Sequence, residues 1–282
     1  MPRFERLVRF RDSQGQIQQG EASKISWDSE LVGKVVPIYK GTNPWDDDFH
    51  LTEQTATISE VLSPLASVPM IDGIGLNYRE HAKEGNMPIP PYPVVFVKYP
   101  DALAGPFEDI PIHKDATLLD YEGELCVVIE RDVKDLSPDD DPIEYVLGYT
   151  AGNDVSSRFW QGQNQGGGQH GYAKSFDKFA PLGPVLVSRH VIKDPGSMHL
   201  KTWVNGDLRQ NGRTDDLIFD VPTIIRHLSR GMTLRKGTVI MTGTPSGVGI
   251  VRNPPAPLQD GDIVEVEISE IGRIRNKMVF IK

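Results

Sequence analysis

The chain has 282 residues, enough for one large domain or two unequal ones, and 38% of them are hydrophobic, enough for a sizeable core. Acidic residues outnumber basic ones 39 to 30, a formal net charge of −9, and the Lys and Arg residues are scattered, which argues against nucleic acid as a partner. No apolar run approaches the roughly 20 residues of a membrane span and no signal-peptide pattern opens the chain, so a soluble protein is expected, cytoplasmic or alternatively mitochondrial.

Residues 1–69 read as a small β-rich domain, with strand composition in RLVRFRD and KVVPIYK and turn residues in DSQGQ between strand candidates. The acidic runs NPWDDDFH and SPDDDP, flanked by Pro, read as solvated loops or helix starts. From residue 70 to 282 the texture is that of a second, larger domain: short apolar runs (PVVFVKY, LCVVIE, GPVLVS, LKTWVNG, GTVIMTG, DIVEVEI) punctuated by Gly and Pro. Helical pattern is confined to YREHAKE and to VPTIIRHLSRG, for which Gly231 is the expected C-cap. The Gly- and Gln-rich stretch 161–171 cannot pack a core and reads as a mobile loop over a site. Fold class is therefore mixed β/α and mainly β. The single Cys126 rules out an intrachain disulfide and sits in an apolar strand as a small core residue.

Within LDYEGEL, Glu122 and Glu124 are two apart, so in a strand they project from one face. Two surface acids on a solvent-facing strand satisfy this spacing. So does a buried pair neutralised by a cation, in which case all-oxygen ligands select a hard ion such as Mg²⁺, Mn²⁺ or Ca²⁺. Asp154, at the end of another strand candidate, is a third carboxylate, although Asp is common there for turn reasons alone. In GLNYREHAKEGN, His81 and Glu84 share a helix face, where the carboxylate can fix the imidazole tautomer; a surface contact is the plainer alternative.

The order E-G-E-L-x-V-V-I, N-D-V-S-x-R-x-x-Q, K-S-F-D-x-F-x-P-L-G-P, V-N-G and T-G-T-P-x-G-V-G resembles the fumarylacetoacetate hydrolase superfamily across residues 70–282, most nearly the second type of fumarylacetoacetate hydrolase domain-containing proteins. The resemblance implies a β-roll or distorted β-barrel catalytic domain behind a small N-terminal domain, and a homodimer. It implies Glu122, Glu124 and Asp154 as ligands of Mg²⁺ or Mn²⁺. His81 and Glu84 carry over as the base that deprotonates water or substrate, and Lys174 as a fixed cation beside developing oxyanion charge. Arg158, Gln161 and the Gly243–Thr244 turn carry over as contacts to substrate oxygens. Lys98 is as readily a structural residue. Phe159 departs from the family pattern, which has an acidic residue after the arginine.

What the resemblance implies for chemistry is a small dicarboxylic or β-diketo acid whose enolate is stabilised by a Lewis acid. Hydrolysis of a C–C bond in an acylpyruvate-like acid is the leading expectation. Oxaloacetate keto–enol tautomerisation or decarboxylation is the alternative on the same site, and a non-catalytic oxo-acid binding module the rival of another class.

Overall fold

The apolar run after Glu124 forms the strand Gly123–Ile129, buried along its whole length. Leu125, Val127 and Ile129 enter one core with Val8, Phe10 and Ile225, whereas Cys126 and Val128 enter a second with Leu182 and Met241. With both faces covered, the strand needs no polar alternation, which is why its sequence is continuously apolar. Cys126 is a buried free thiol in that second core.

The computed structural model describes residues 3–281, and strands dominate it. Antiparallel partners flank the central strand: Val146–Asn153 on one side and Val239–Met241 on the other. Beyond the first lies Ala180–Ser188; beyond the second, Ile71–Gly75 adds in parallel and Val94–Lys98 forms the sheet edge. A five-stranded sheet, ordered Asp207–Arg213, His199–Val204, Ile263–Ile268, Gly272–Phe280, Ile110–Ile112, folds across the central strands and closes a distorted β-roll. Its Val264, Val266, Ile274 and Met278 build a third core.

The sheets meet closely at Gly123, where a Cβ would lie 2.3 Å from Thr202 Oγ1, so the residue between the two glutamates can only be glycine. The N-terminal strands Arg6–Asp12, Ile17–Glu21, Val35–Lys40 and His50–Val61 pair with one another and join the large sheet through Arg6 opposite Val187 and Leu7 opposite Leu186.

The helix Val221–Leu228 starts at Asp220, whose side chain accepts from Thr223 N, and it buries Val221, Ile224, Ile225 and Leu228 on one stripe. Its C-cap is Ser229, not Gly231; Gly231 lies two residues further on, at φ +70°, donating its N–H to Asp135 Oδ1 at 2.7 Å. The stretch 161–171 is likewise more ordered than its composition suggests. Short helical turns Arg158–Gln161, Gln163–Gly166 and Gly171–Lys174 run through it, held by bonds such as Gly166 N to Gly162 O at 2.9 Å. Among the described residues no helix is long and apolar enough to cross a membrane.

Candidate active site and metal centre

Strand register brings the third carboxylate to the first two. Gly123 pairs with Asn153, Glu122 N donates to Asn153 Oδ1 (2.9 Å), and Asp154 N donates to Glu122 O (2.8 Å), so Asp154 is fixed beside the E-G-E segment. Glu122, Glu124 and Asp154 are all buried and each offers an oxygen within 4.8 Å of the others.

Three cations answer these carboxylates and Asp120. Lys98, fully buried at the end of the edge strand, donates to Asp154 Oδ1, to Phe179 O (2.6 Å) and to Val155 O (3.3 Å), which uses all three of its protons. Lys174 Nζ bridges Glu122 Oε2 (2.8 Å) and Asp154 Oδ2, with Ser156 Oγ at 2.8 Å, and lies over the Phe96 ring at 4.8 Å. Arg158 binds Asp120 through Nε (2.9 Å), Glu122 Oε1 through Nη2 (2.6 Å) and Gln161 Oε1 through Nη1 (2.8 Å).

Burial opposes the charge on Glu122, but Lys174 and Arg158 outweigh it and hold this carboxyl below the usual range. On Lys174 burial is likewise outweighed, by Asp154 and Glu122, and its pKa rises. Glu124 is different. Burial, then Asp154 and Glu122, push its pKa well above the ordinary value, and among the described residues its side chain accepts a hydrogen bond only from Gly243 N, at 2.7 Å. Four buried carboxyl groups face three cations, so with all four ionised one negative charge is in excess, and in the absence of a further cation a proton on Glu124 relieves it. A divalent cation fits this oxygen-only donor set, because an excess of buried carboxylate is stable only when something positive joins it.

The base lies across the same cavity, of about 370 Å³, lined among others by His81, Glu122, Glu124, Arg158, Gln161 and Lys174. His81 and Glu84 share the short helix Arg79–Glu84, with Nδ1 3.3 Å from Glu84 Oε2. Glu84 is itself held by Gly247 N, 3.1 and 3.0 Å from its two oxygens. A larger groove of about 420 Å³, between residues 26–31 and the Gly272–Phe280 strand, lies apart from this cluster.

The turn after Val239–Met241 is used otherwise than the sequence suggests. Gly243 N–H goes to Glu124 and Gly247 N–H to Glu84, so these two amides orient protein carboxylates. Thr244 lines the cavity, but its hydroxyl donates to Gly123 O (2.9 Å) and accepts from Gln210 Nε2 (2.6 Å). The cause is electrostatic: the buried Glu124 and the more exposed Glu84 each claim a nearby backbone N–H. Gly243 meets that demand at φ +106°, with a Cβ position only 2.7 Å from Asn77 Cβ.

Several residues of the site escaped sequence reasoning. Asp120, fully buried, accepts from Gly249 N (2.7 Å), Ile250 N (3.0 Å) and Arg158 Nε (2.9 Å) and locks the arginine to the turn. Its signal was an acid embedded in LLDY. Asn77 ties the helix to the turn by donating to Thr242 O (2.7 Å) and Phe219 O (3.0 Å). Phe96 and His170 line the cavity as well.

A buried oxygen triplet near an imidazole–carboxylate pair can hold a hard metal ion beside a general base. The family model described as fumarylacetoacetate (FAA) hydrolase C-terminal matches residues 70–279, and the chain belongs to that family of enzymes. It is 41% identical over 219 residues to "Oxaloacetate tautomerase fahd2, mitochondrial" of Xenopus laevis, covering 78% of this chain and 68% of the relative. Among solved structures, "5-carboxymethyl-2-hydroxymuconate delta-isomerase" from Mycobacterium smegmatis superposes with TM-score 0.80 at 33% identity, covering 98% of this chain and 100% of the other. "Fumarylacetoacetate hydrolase (EaFAH)" from Exiguobacterium antarcticum gives 0.76 at 34%, covering 98% and 99%.

Proposed function

We propose that this protein is a divalent-metal-dependent oxaloacetate tautomerase, interconverting the keto and enol forms of a small dicarboxylic oxo acid. The observation that carries the reading is the buried carboxylate triplet Glu122, Glu124 and Asp154, two of whose members share a cavity with His81, the imidazole that Glu84 holds. The Xenopus relative's printed name supports proton transfer over C–C hydrolysis, the leading expectation from sequence, and the isomerase neighbour points the same way.

Glu122, Glu124 and Asp154 would hold Mg²⁺ or Mn²⁺, which when bound supplies Lewis acidity to the oxygens of the oxo acid. His81 Nδ1 lies against Glu84, which leaves Nε2 to take the proton from C3 of the keto form and return it in the reverse direction. Glu84, fixed by Gly247, holds the ring and stabilises its protonated form. Lys174 keeps positive charge beside the C2 oxygen as charge develops there. Gln161 and Thr244 border the same cavity as substrate-facing groups, and Arg158 positions Glu122 and Gln161.

Two further elements belong to the proposal. Residues 1–69 form an accessory N-terminal domain and 70–282 the catalytic one, in line with a family match that begins at residue 70. The exposed apolar strip of Val94, Val95, Tyr99 and Tyr172 supports a homodimer. Cytoplasm and mitochondrion are both carried as compartments, the second being the one in the Xenopus relative's name.

The test is proton NMR of Mg²⁺-loaded protein with oxaloacetate and with acetylpyruvate, beside an EDTA control and the His81→Ala variant. Accelerated keto–enol exchange of oxaloacetate, lost in both controls, is the expected result. Acetate and pyruvate from acetylpyruvate would establish the hydrolase instead, pyruvate from oxaloacetate the decarboxylase, and binding without turnover the oxo-acid binding module.

A further inference from the structure

Both cavity cations are held at Glu122, one of the carboxylate triplet. Lys174 is shared among Glu122, Asp154 and Ser156; Arg158 hydrogen-bonds Asp120 and Gln161 and forms an ion pair with Glu122 through Nη2, a nitrogen that makes no hydrogen bond. Both therefore stand beside the triplet and not at the end of a substrate remote from it.

His170 is free. It lines the cavity at the far end of the Gly- and Gln-rich loop whose near end carries Gln161. No hydrogen bond joins its side chain to any described residue; its Nδ1 is shut off from solvent beside Gly75, which leaves Nε2 as the ring nitrogen that a molecule in the cavity can meet. The ring is not loose: it packs on Phe96 with centroids 5.4 Å apart and planes at 57°, and it abuts Gly75, where a Cβ would stand 3.4 Å from Cε1. Burial, and then the Lys174 ammonium, lower its pKa, so it serves as a neutral donor or acceptor of fixed orientation.

We propose that His170 is a specificity-determining residue, its Nε2–H donating to the distal carboxylate of the substrate and so distinguishing a dicarboxylic oxo acid from a monocarboxylic one. The inference deepens the tautomerase reading, since it names the group that recognises the second carboxylate. A site built around a hydrogen bond discriminates against a ligand that lacks the partner, because such a ligand covers the protein group and leaves it unpaired.

The experiment is calorimetric binding of malate and of lactate to Mn²⁺-loaded protein. Both carry the same hydroxy-acid head, only malate has the distal carboxylate, and neither undergoes keto–enol exchange. Wild type is expected to prefer malate by about tenfold or more, equivalent to about 1.4 kcal/mol. His170→Phe, which keeps a ring against Phe96, should bring the two affinities within roughly threefold by weakening malate alone, while His170→Gln, which keeps a donor at the reach of Nε2, retains most of the preference. A wild type without preference, an unchanged ratio in His170→Phe, or an equal loss for both ligands would overturn the assignment. Oxaloacetate exchange is followed in parallel on the same samples. A wild type that prefers malate through His170 but exchanges no oxaloacetate would refute the tautomerase reading and sustain this one.

Discussion

Replacing Lys98 with Met removes one of three cations from a cluster of four buried carboxyl groups while nearly conserving the length of the side chain. Lys98 is fully buried, and its partners are Asp154 Oδ1 and two backbone carbonyls. Phe179 O keeps a second donor, Val155 N at 3.0 Å, so the dominant loss is electrostatic. Breaking one side of a buried pair costs about 3–5 kcal/mol. Over 282 residues the entropy of unfolding is about 0.6 kcal/mol/K, which converts that cost into a fall of about 5–8 °C in the melting temperature of the metal-free protein. Calorimetry or circular dichroism reads it directly. Saturating Mn²⁺ should shrink the gap between variant and wild type, since the ion supplies the missing positive charge. A fall below about 2 °C would refute the claim that Lys98 compensates the cluster, and a gap indifferent to Mn²⁺ would assign the loss to packing.

Glu124→Gln should abolish tight Mn²⁺ binding in calorimetry and metal-dependent turnover together, while the metal-free protein becomes no less stable because the uncompensated carboxyl is gone; retained binding would remove Glu124 from the ligand set. Asp72 is partly buried with no charged neighbour, and burial pushes its pKa up to about 6. Its protonated form is the one the fold prefers, so its contribution is complete below the unfolded-state value near 4 and is lost as pH rises through 6. Asp72→Asn should therefore stabilise by up to about 3 kcal/mol at pH 7 to 8 and by nothing near pH 4, measured by urea unfolding at both; a pH-independent effect would contradict the assignment. Light scattering should give twice the 31.3 kDa chain mass, and Val95→Glu with Tyr99→Glu should give the monomer; a monomeric wild type would end the dimer proposal.

What the sequence made legible was local in the chain. Glu122 and Glu124 are visible because strand periodicity alone puts them on one side, and His81 and Glu84 because helix periodicity does the same. From local pattern Asp154 was visible as a strand-end acid, and the family resemblance alone named it a ligand; its place beside Glu122 depends on the pairing of Gly123 with Asn153, which no local pattern encodes. Partner choice was less legible still. Arg158 looked free for substrate because Asp120, 38 residues earlier, could not be known to sit against its Nε. The Gly243 and Gly247 amides looked free for the same reason. His170 lies in a stretch of such low complexity that no periodicity marks it. The strand His50–Val61 is mostly polar and exposed, so hydrophobic alternation never announced it.

The division of labour follows from where each group is mounted. The carboxylate triplet sits on or beside the most deeply buried strands of the roll, Gly123–Ile129 and Val146–Asn153, where packing from both faces leaves little freedom to move. His81 stands on a six-residue helix that Asn77 ties to the turn beyond Val239–Met241, so the base and the amide orienting Glu124 move as one unit. Gln161 and His170 come from the two ends of a loop rich in glycine, the part of the site least constrained by the core. A cation and a proton-moving base fixed by the framework suit any chemistry that begins with an enolisable oxo acid. The choice among such acids then rests with the loop, where a substitution alters recognition without disturbing the charge balance beneath it.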